Sequence, residues 1–493
     1  MPVLPVDAYR NTSLVTFTIL IEGEAIPSRM GVASIMVAKE VNRIPYANIV
    51  LSDGDVAKQD FPVSNEDLFV PGKKIEISAG YNSDETVIFK GIIIKHGIKI
   101  RQNGNAVLII DCKDEAVKMT IGRKSKYFYE SKDSDVIAEI IDTYKLQKEI
   151  EDTETTHPEL VQYRATDWDF MLTRVEVNGK ICVTNDGLIQ IQNPDFNQSP
   201  AAKFKYGNNI RAFEANFDAR EQFNSVKAQA WDFGTQEMIT TEATEPHVAD
   251  AGDIDAGTLA DVVGLDAYVL AHGGKANEGE LQAWADAKLL RNRMAKIQGR
   301  VTVQGIAEVT PANLIELEGV GNRFNGTLFA NAVRHQISQG DWVTDIQFGF
   351  NSEWFTETYD TNVPEASGLF PAVRGLQIGL VTQLQDDPEN EERILVRLPM
   401  INQEEQGIWA RVASLDAGEN RGAFFRPEIG DEVIVGFIND DPSEAIVLGM
   451  LNSSAKPAPI VASDDNHEKG FFTRSEMKIL FNDDNKSITI SNK

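Results

Sequence analysis

Six histidines stand at positions 96, 157, 247, 272, 335 and 467, and no two of them lie at a metal-ligand spacing. No His-Glu-x-x-His run and no paired cysteine motif occurs, so no metal centre is expected. Asp167 and Asp169 could be read as a carboxylate pair for acid–base work, but capping a helix start explains two acids there more simply. Gly319, Gly321 and Gly326 miss the dinucleotide fingerprint because position 324 is Phe. The Gly-Lys pairs at 72–73, 179–180 and 274–275 lack the following Ser or Thr and the upstream Gly of a phosphate loop. Cys112 and Cys182 each sit in an apolar, strand-like context and read as buried free thiols without a redox role. The residues with chemistry in them therefore predict neither a catalytic site nor a cofactor.

The chain has 493 residues, long for one domain and enough for three or four. With 42% hydrophobic and 25% charged residues it reads as an ordinary folded protein, and no run of eighteen apolar residues could span a bilayer. The opening stretch MPVLPVDAYRNTSL lacks a basic start, an apolar core and a cleavage site, so synthesis in the cytoplasm without a signal peptide is expected. Net charge is −28, with 75 acidic against 47 basic residues spread along the chain. Such a surface repels nucleic acid and anionic membrane, because phosphate binding needs clustered Lys and Arg.

The most organised stretch runs from 375 to 450. Ile378, Leu380, Ile394, Val396, Leu398, Ile408, Val433, Val435 and Phe437 alternate at period two, giving each short strand one face to bury. Turn formers separate them: 386–390, Asn402, Gly418, Asn420, Gly422 and 439–442. Five such strands predict a closed barrel of the OB type. An OB barrel can bind oligonucleotides, but Trp409, Phe424 and Phe425 are not interleaved with a basic stripe, and they read as core or subunit contacts.

The order of residues within this stretch is specific. Trp409, Arg411 and Val412 form W-x-R-V; Gly422, Phe425, Pro427, Gly430, Val433, Val435 and Phe437 follow at fixed spacing, and Ile446-Val447-x-Gly449 closes the pattern. This resembles the spike barrel of VgrG (valine-glycine repeat) proteins, related to the hub and needle of contractile phage tails. Upstream, VAKEVNRIPYANIVLSDGD, VPGKKIEISAGY and ATDWDFMLTRVEVNGKICV resemble the hub of the same family, especially the form in extracellular contractile injection particles. The resemblance implies a mainly β, multidomain chain with some α. Its parts would be a first hub barrel (1–120), an α/β middle region (121–240), an acidic excursion, helix and second hub barrel (241–365), the OB barrel (370–452) and the start of a trimeric β-prism (460–493).

Local patterns give the elements in more detail. Strands are expected at 14–21, 48–52, 74–79, 86–95 and 106–111, with turns at Asp53-Gly54, Pro71-Gly72, 81–83 and 103–105. Val136, Ile137, Ile140, Ile141 and Tyr144 predict a helix over 133–144 capped by Asp133 or Ser134, and 162–172 runs into another. A hairpin is expected about Asp186-Gly187. Residues 240–278, rich in Ala, Asp, Gly, Thr and Glu, read as an acidic and mobile excursion, followed by a helix over 278–298 ending at Gly299. Strands at 300–305, 314–317, 326–336 and 342–350 suggest the second hub barrel. A linker at 358–366 precedes the OB barrel and a stiffened connector at 453–459 follows it.

At the far end Met477, Ile479 and Phe481 alternate with polar residues or Leu480, 482–486 turns the chain, and Ile488 and Ile490 repeat the alternation. A lone hairpin cannot cover its own apolar face, so three copies are expected to wind together about one axis. The resemblance then implies a homotrimeric central spike without enzymatic activity, with an inner tube ring protein and baseplate proteins as partners, a tip protein of the PAAR type or an effector as cargo, and a target-cell membrane as the thing struck. It would work in a phage tail-like particle, released or delivered outside the cell. Between Met450 and Ser475 there is no room for an inserted lysozyme with its two carboxylates. The alternative is a peptidoglycan- or polysaccharide-binding hydrolase that uses the OB barrel.

Overall fold

The computed structural model describes residues 14–101, 106–249 and 251–492. The expected turn at 103–105 and most of the amino-terminal stretch lie outside them. The chain divides into two compact units after Thr361.

In the first unit a thirteen-stranded sheet carries two cores. The first belongs to the strands Val15–Ile21, Val32–Glu40, Tyr46–Ser52, Lys74–Tyr81, Asp84–Ile100 and Ala106–Lys113. Period-two alternation sends Ile35 and Val37, Ile49 and Leu51, Ile75 and Ile77, and Leu108 and Ile110 to one face, where they bury Phe69 and Phe89. Each such side chain contributes roughly 1.5–3 kcal/mol on burial. The second core is built by Gln298–Gln304, Leu314–Glu318, Gly326–Ser338 and Asp341–Phe348 around Val301, Val303, Ile315, Ile346 and Phe348.

The two halves share one sheet because Gly326–Ser338 pairs antiparallel with Val32–Glu40, from Ala332 opposite Glu40 to Ser338 opposite Ser34. That join was not legible in the sequence. Ala202–Lys205 and Ile210–Asn216, which the sequence places in the middle region, also belong here: they pair with Leu314–Glu318 and Gln298–Gln304. Gly299, expected to end a helix, is inside a strand. A Cβ on it would come 2.2 Å from the Glu214 carbonyl oxygen, so the close approach of these strands requires glycine.

The middle region has its own core. Helix α1 (Asp133–Thr143) contributes Val136, Ile137, Ile140 and Ile141, and α2 (Asp167–Val177) contributes Trp168, Met171, Leu172 and Val175. They pack on Ile181–Asn185 and Leu188–Gln192, a hairpin whose turn residues Asp186 and Gly187 have φ of 56° and 90°, the values a tight two-residue turn demands.

Residues 240–278, read from their composition as an acidic and mobile excursion, carry a helix and a strand. Asp255 caps α3 (Ala256–Val263) by accepting from the Thr258 N–H at 2.7 Å, and Gly264 ends it with φ 68°. Tyr268–His272 then pairs parallel with Val226–Asp232, in a three-stranded sheet completed by Glu237–Glu242. Helix α4 (Glu278–Met294) covers that sheet with Leu281, Ala285 and Leu289.

In the second unit Gln377–Gln383, Ile394–Arg397, Ile408–Val412, Ala445–Leu451 and Glu432–Phe437 close a five-stranded barrel. All its pairings are antiparallel except Ile408–Val412 with Ala445–Leu451. The expected OB-type barrel is borne out, and one strand is out of phase. Gly379 and Val381 face inward where Ile378 and Leu380 were expected, and Ile378 is 45% exposed. The reason is steric: a Cβ at position 379 would lie 2.4 Å from a Val396 methyl. A three-stranded antiparallel sheet follows, Glu468–Phe472, Lys478–Asn482 and Ser487–Ser491, one strand more than the expected hairpin.

Candidate functional site

The titratable residues are absorbed by structure. Asp133 does not cap α1. It is the first helical residue, and its buried carboxylate accepts from Arg174 Nε at 2.5 Å, Asn178 Nδ2 at 2.9 Å and His157 Nε2 at 3.1 Å. Burial pushes this carboxyl up, but those three donors outweigh it and hold it well below the usual range. Nor does Asp167 cap α2: Thr166 Oγ1 does, accepting from the Asp169 N–H at 3.1 Å. Asp167 instead accepts from Lys124, Tyr144 and Gln162, so Asp167 and Asp169 do not act as a pair.

His335, Cys112 and Cys182 behave likewise. Burial, helped by the charge of Lys39, pulls His335 down to about 3, a neutral ring hydrogen-bonded to Thr344 Oγ1 at 3.0 Å. Burial pushes the Cys182 thiol up to about 12 and raises Cys112 as well, and both are free and buried. Among the described residues no group of three or more His, Cys, Asp or Glu is placed to hold a metal ion. No helix among them is long and apolar enough to cross a membrane.

What stands out is an apolar surface on the second unit. In the terminal sheet Phe471 lies opposite Ile479 and Ile479 opposite Ile490, while Phe481 lies opposite Ile488. Paired residues of antiparallel strands point the same way, so these five share one face, and every one of them is exposed. Met477, one residue before the middle strand, is exposed too. The expected set 477, 479, 481, 488 and 490 is thus brought together on an open face. Phe471 was missed, because Gly470 and the double Phe471-Phe472 blur the alternation that marks the other two strands.

The barrel motif splits into inward and outward parts. Val433 and Val435 are fully buried, Val412 and Phe437 pack at the edge of the core, and Pro427 is buried. Gly430 takes φ 84° in the turn before the Glu432–Phe437 strand, and its N–H donates to the Val381 carbonyl at 2.7 Å. Nothing in the structure requires glycine at 449, where a Cβ would make only an ordinary contact with Ile434.

Trp409 is half-buried and Arg411 exposed, both on the outside of the barrel, since Ala410 takes the inward position. Phe424 and Phe425 are 77% and 57% exposed and belong to no core. Phe425 stacks on Phe471 of the terminal sheet with ring centres 5.4 Å apart. Arg474 pairs with Glu428 at 3.0 Å, and Lys456, in the expected connector, reaches back to the Gly430 carbonyl and Asp431. These ties hold the terminal sheet against the barrel loop 424–431.

Two family models match the chain. The Alg8 N-terminal domain covers residues 11–339, and the type VI secretion system/phage-baseplate injector OB domain covers 377–451. The type VI secretion system spike protein VgrG3 of Vibrio cholerae is 33% identical over 101 residues, 19% of this chain and 10% of that protein. The spike protein VgrG1a of Pseudomonas aeruginosa is 30% identical over 116 residues, 21% of this chain and 17% of that protein. The matches therefore span less than a fifth of these relatives. The 43 kDa tail protein of prophage MuSo2 from Shewanella oneidensis shares the fold at a TM-score of 0.52 and 9% identity, over 69% of this chain and 99% of that one. The resemblance to spikes of the VgrG type is borne out, and the chain belongs to the Alg8 N-terminal domain family, with the injector OB domain of type VI secretion and phage baseplates following it.

Proposed function

We propose that this protein is the structural, homotrimeric central spike of a contractile injection machine, joining a six-fold inner tube to a membrane-puncturing needle. The observation that carries the reading is the open apolar face of Phe471, Ile479, Phe481, Ile488 and Ile490, which a single chain leaves in water. Three copies about one axis bury it and supply the missing layer.

The hub supports the same reading. Each chain holds two halves joined in one sheet, so three chains present six comparable units to a six-fold tube. Baseplate proteins would surround the hub, and the needle end would carry a tip protein of the PAAR type or an effector. The role is mechanical, with no catalytic step. The protein would be assembled into a phage tail-like particle.

Light scattering on the purified chain at micromolar concentration tests the central claim. The expected mass is that of three chains, and Ile479→Asp with Ile490→Asp should return it to one. A wild-type protein that stays monomeric as concentration rises would overturn the reading.

A further inference from the structure

Ser64 and His96 form a pair in the hub that the spike reading does not use. Ser64 lies in the loop 53–73 after the strand Tyr46–Ser52, and His96 lies on the strand Asp84–Ile100; both are half-buried. Ser64 Oγ is 2.7 Å from His96 Nε2, and His96 Nδ1 is 2.9 Å from the carbonyl oxygen of the fully buried Phe69. A carbonyl oxygen only accepts, so Nδ1 carries the proton and Nε2 of the neutral ring is left to accept from the Ser64 hydroxyl. The arrangement is a nucleophile, a base within hydrogen-bond reach and a third group that orients the base. The loop is held in place here, since Asp53 accepts from the N–H groups of Gly54 at 2.8 Å, Val63 at 3.1 Å and Ser64 at 2.8 Å.

We infer that Ser64, activated by His96, is a site of covalent acylation by an activated acyl donor of the thioester class. Two features limit the donor. The Ser64 N–H, which an acyl-transfer enzyme would aim at the developing oxyanion, is spent on the Asp53 carboxylate, whose charge opposes an oxyanion beside it. His96 leans on a neutral carbonyl, where a carboxylate would stabilise the imidazolium more. An ordinary ester or amide, with its poor leaving group, therefore stays intact, and a thioester, whose thiolate leaves readily, reacts. In the step the Ser64 hydroxyl proton passes to Nε2, the Oγ–C bond forms, the C–S bond breaks, and the thiolate departs with the proton from Nε2. The products are a serine ester and a free thiol. The same lack of oxyanion donors slows the attack of water on that ester. The modification is thus stoichiometric, one acyl group per chain, and adds no turnover to the mechanical role.

Labelling of the whole chain tests it, with a fluorophosphonate probe, on which the Oγ–P bond forms and fluoride leaves, and with an acetyl thioester. Peptide mass mapping should place both adducts on Ser64, and thiol release should stop at about one equivalent per chain. Ser64→Ala should take neither label. His96→Gln keeps a donor for the Phe69 carbonyl but has no base, and should label more slowly by about 100-fold or more. Unchanged circular dichroism and melting confirm that both variants fold. Wild type in urea, where Ser64 and His96 are apart, should lose the reaction and so checks the pairing without any variant. Wild type that takes no label, or takes it on other serines, overturns the proposal. So does His96→Gln labelled at the wild-type rate, which would leave the pair as a pin for the loop. Thiol release that runs on past one equivalent would refute the stoichiometric limit.

Discussion

The barrel strand Glu432–Phe437 and the terminal strand Ser487–Ser491 carry the same pattern, a β-branched residue at every second position. In the barrel Val433 and Val435 are fully buried; in the terminal strand Ile488 and Ile490 are 66% and 76% exposed. The difference lies in closure. Five strands that return on themselves place an opposite wall across from each inward side chain, whereas three strands in an open sheet have no second layer. Alternation thus states that a face must be covered, and the number and path of the strands decide whether the same chain can cover it.

The contrast predicts opposite responses to the same insult. Val435→Asp places a carboxylate among Val381, Val396 and Val447, with no cation in that core, and should unfold the barrel, a loss of about 5 kcal/mol. Ile490→Asp, on the open sheet, should leave the melting of the isolated chain unchanged. Chemical denaturation of both variants checks this, and a barrel that tolerates the aspartate would mean its interior is wet.

Polar burial in the hub offers a second comparison. Glu176 accepts from Arg291 Nη1 at 2.8 Å, Asn42 Nδ2 at 3.0 Å and the Phe355 N–H at 2.7 Å, so one carboxylate ties α2 to α4, to the turn after Val32–Glu40 and to the end of the unit. Glu176→Ala leaves the buried Arg291 without its counter-ion and should destabilise the hub by about 3–4 kcal/mol. Differential scanning calorimetry should show the hub transition falling while the barrel transition holds.

The seam between the hub halves should respond to acid. His335 sits on the strand that joins them, neutral when folded, with a pKa of about 3 against roughly 6.5 when unfolded. The unfolded chain therefore binds the proton first, and stability falls as pH drops below about 6.5 toward 3. At about 1.36 kcal/mol per pH unit, acidification from 6.5 to 5 removes about 2 kcal/mol. His335→Gln should flatten that part of the profile, measured by urea denaturation at each pH; an unchanged slope would place the titration elsewhere.

Much of the fold was legible in the sequence because the cue was local. The barrel strands, the helices over 133–143 and 167–177 and the Asp186-Gly187 turn each follow from periodicity or turn chemistry within a few residues. What escaped depended on distant partners. The join of Gly326–Ser338 to Val32–Glu40 has no local mark, and neither does the parallel pairing of Tyr268–His272 with Val226–Asp232, which turns an acidic stretch into an ordered sheet. Glycine misled twice: Gly379 faces the barrel interior and Gly299 lies within a strand, each because a neighbour comes too close for a Cβ. The candidate surface was legible at 477–490. Its continuation through Phe471 to Phe425 depends on a fold-back that no alternation encodes.

The smallest effect on stability is expected where the largest effect on assembly is proposed. Ile490→Ser removes an apolar side chain that is already mostly in water, so unfolding of the single chain should shift by less than about 0.5 kcal/mol. The same change removes surface that three copies would bury, and a β-branched side chain fully buried there contributes about 1.5–3 kcal/mol per chain. Because the face repeats around the axis, the loss recurs in every chain. Association should therefore weaken far more than tenfold, since each 1.4 kcal/mol is a factor of ten. Paired denaturation and sedimentation measurements on this one variant separate the two quantities. A drop in single-chain stability comparable to that of a core substitution would show Ile490 covered by its own chain, erasing the distinction between barrel and sheet.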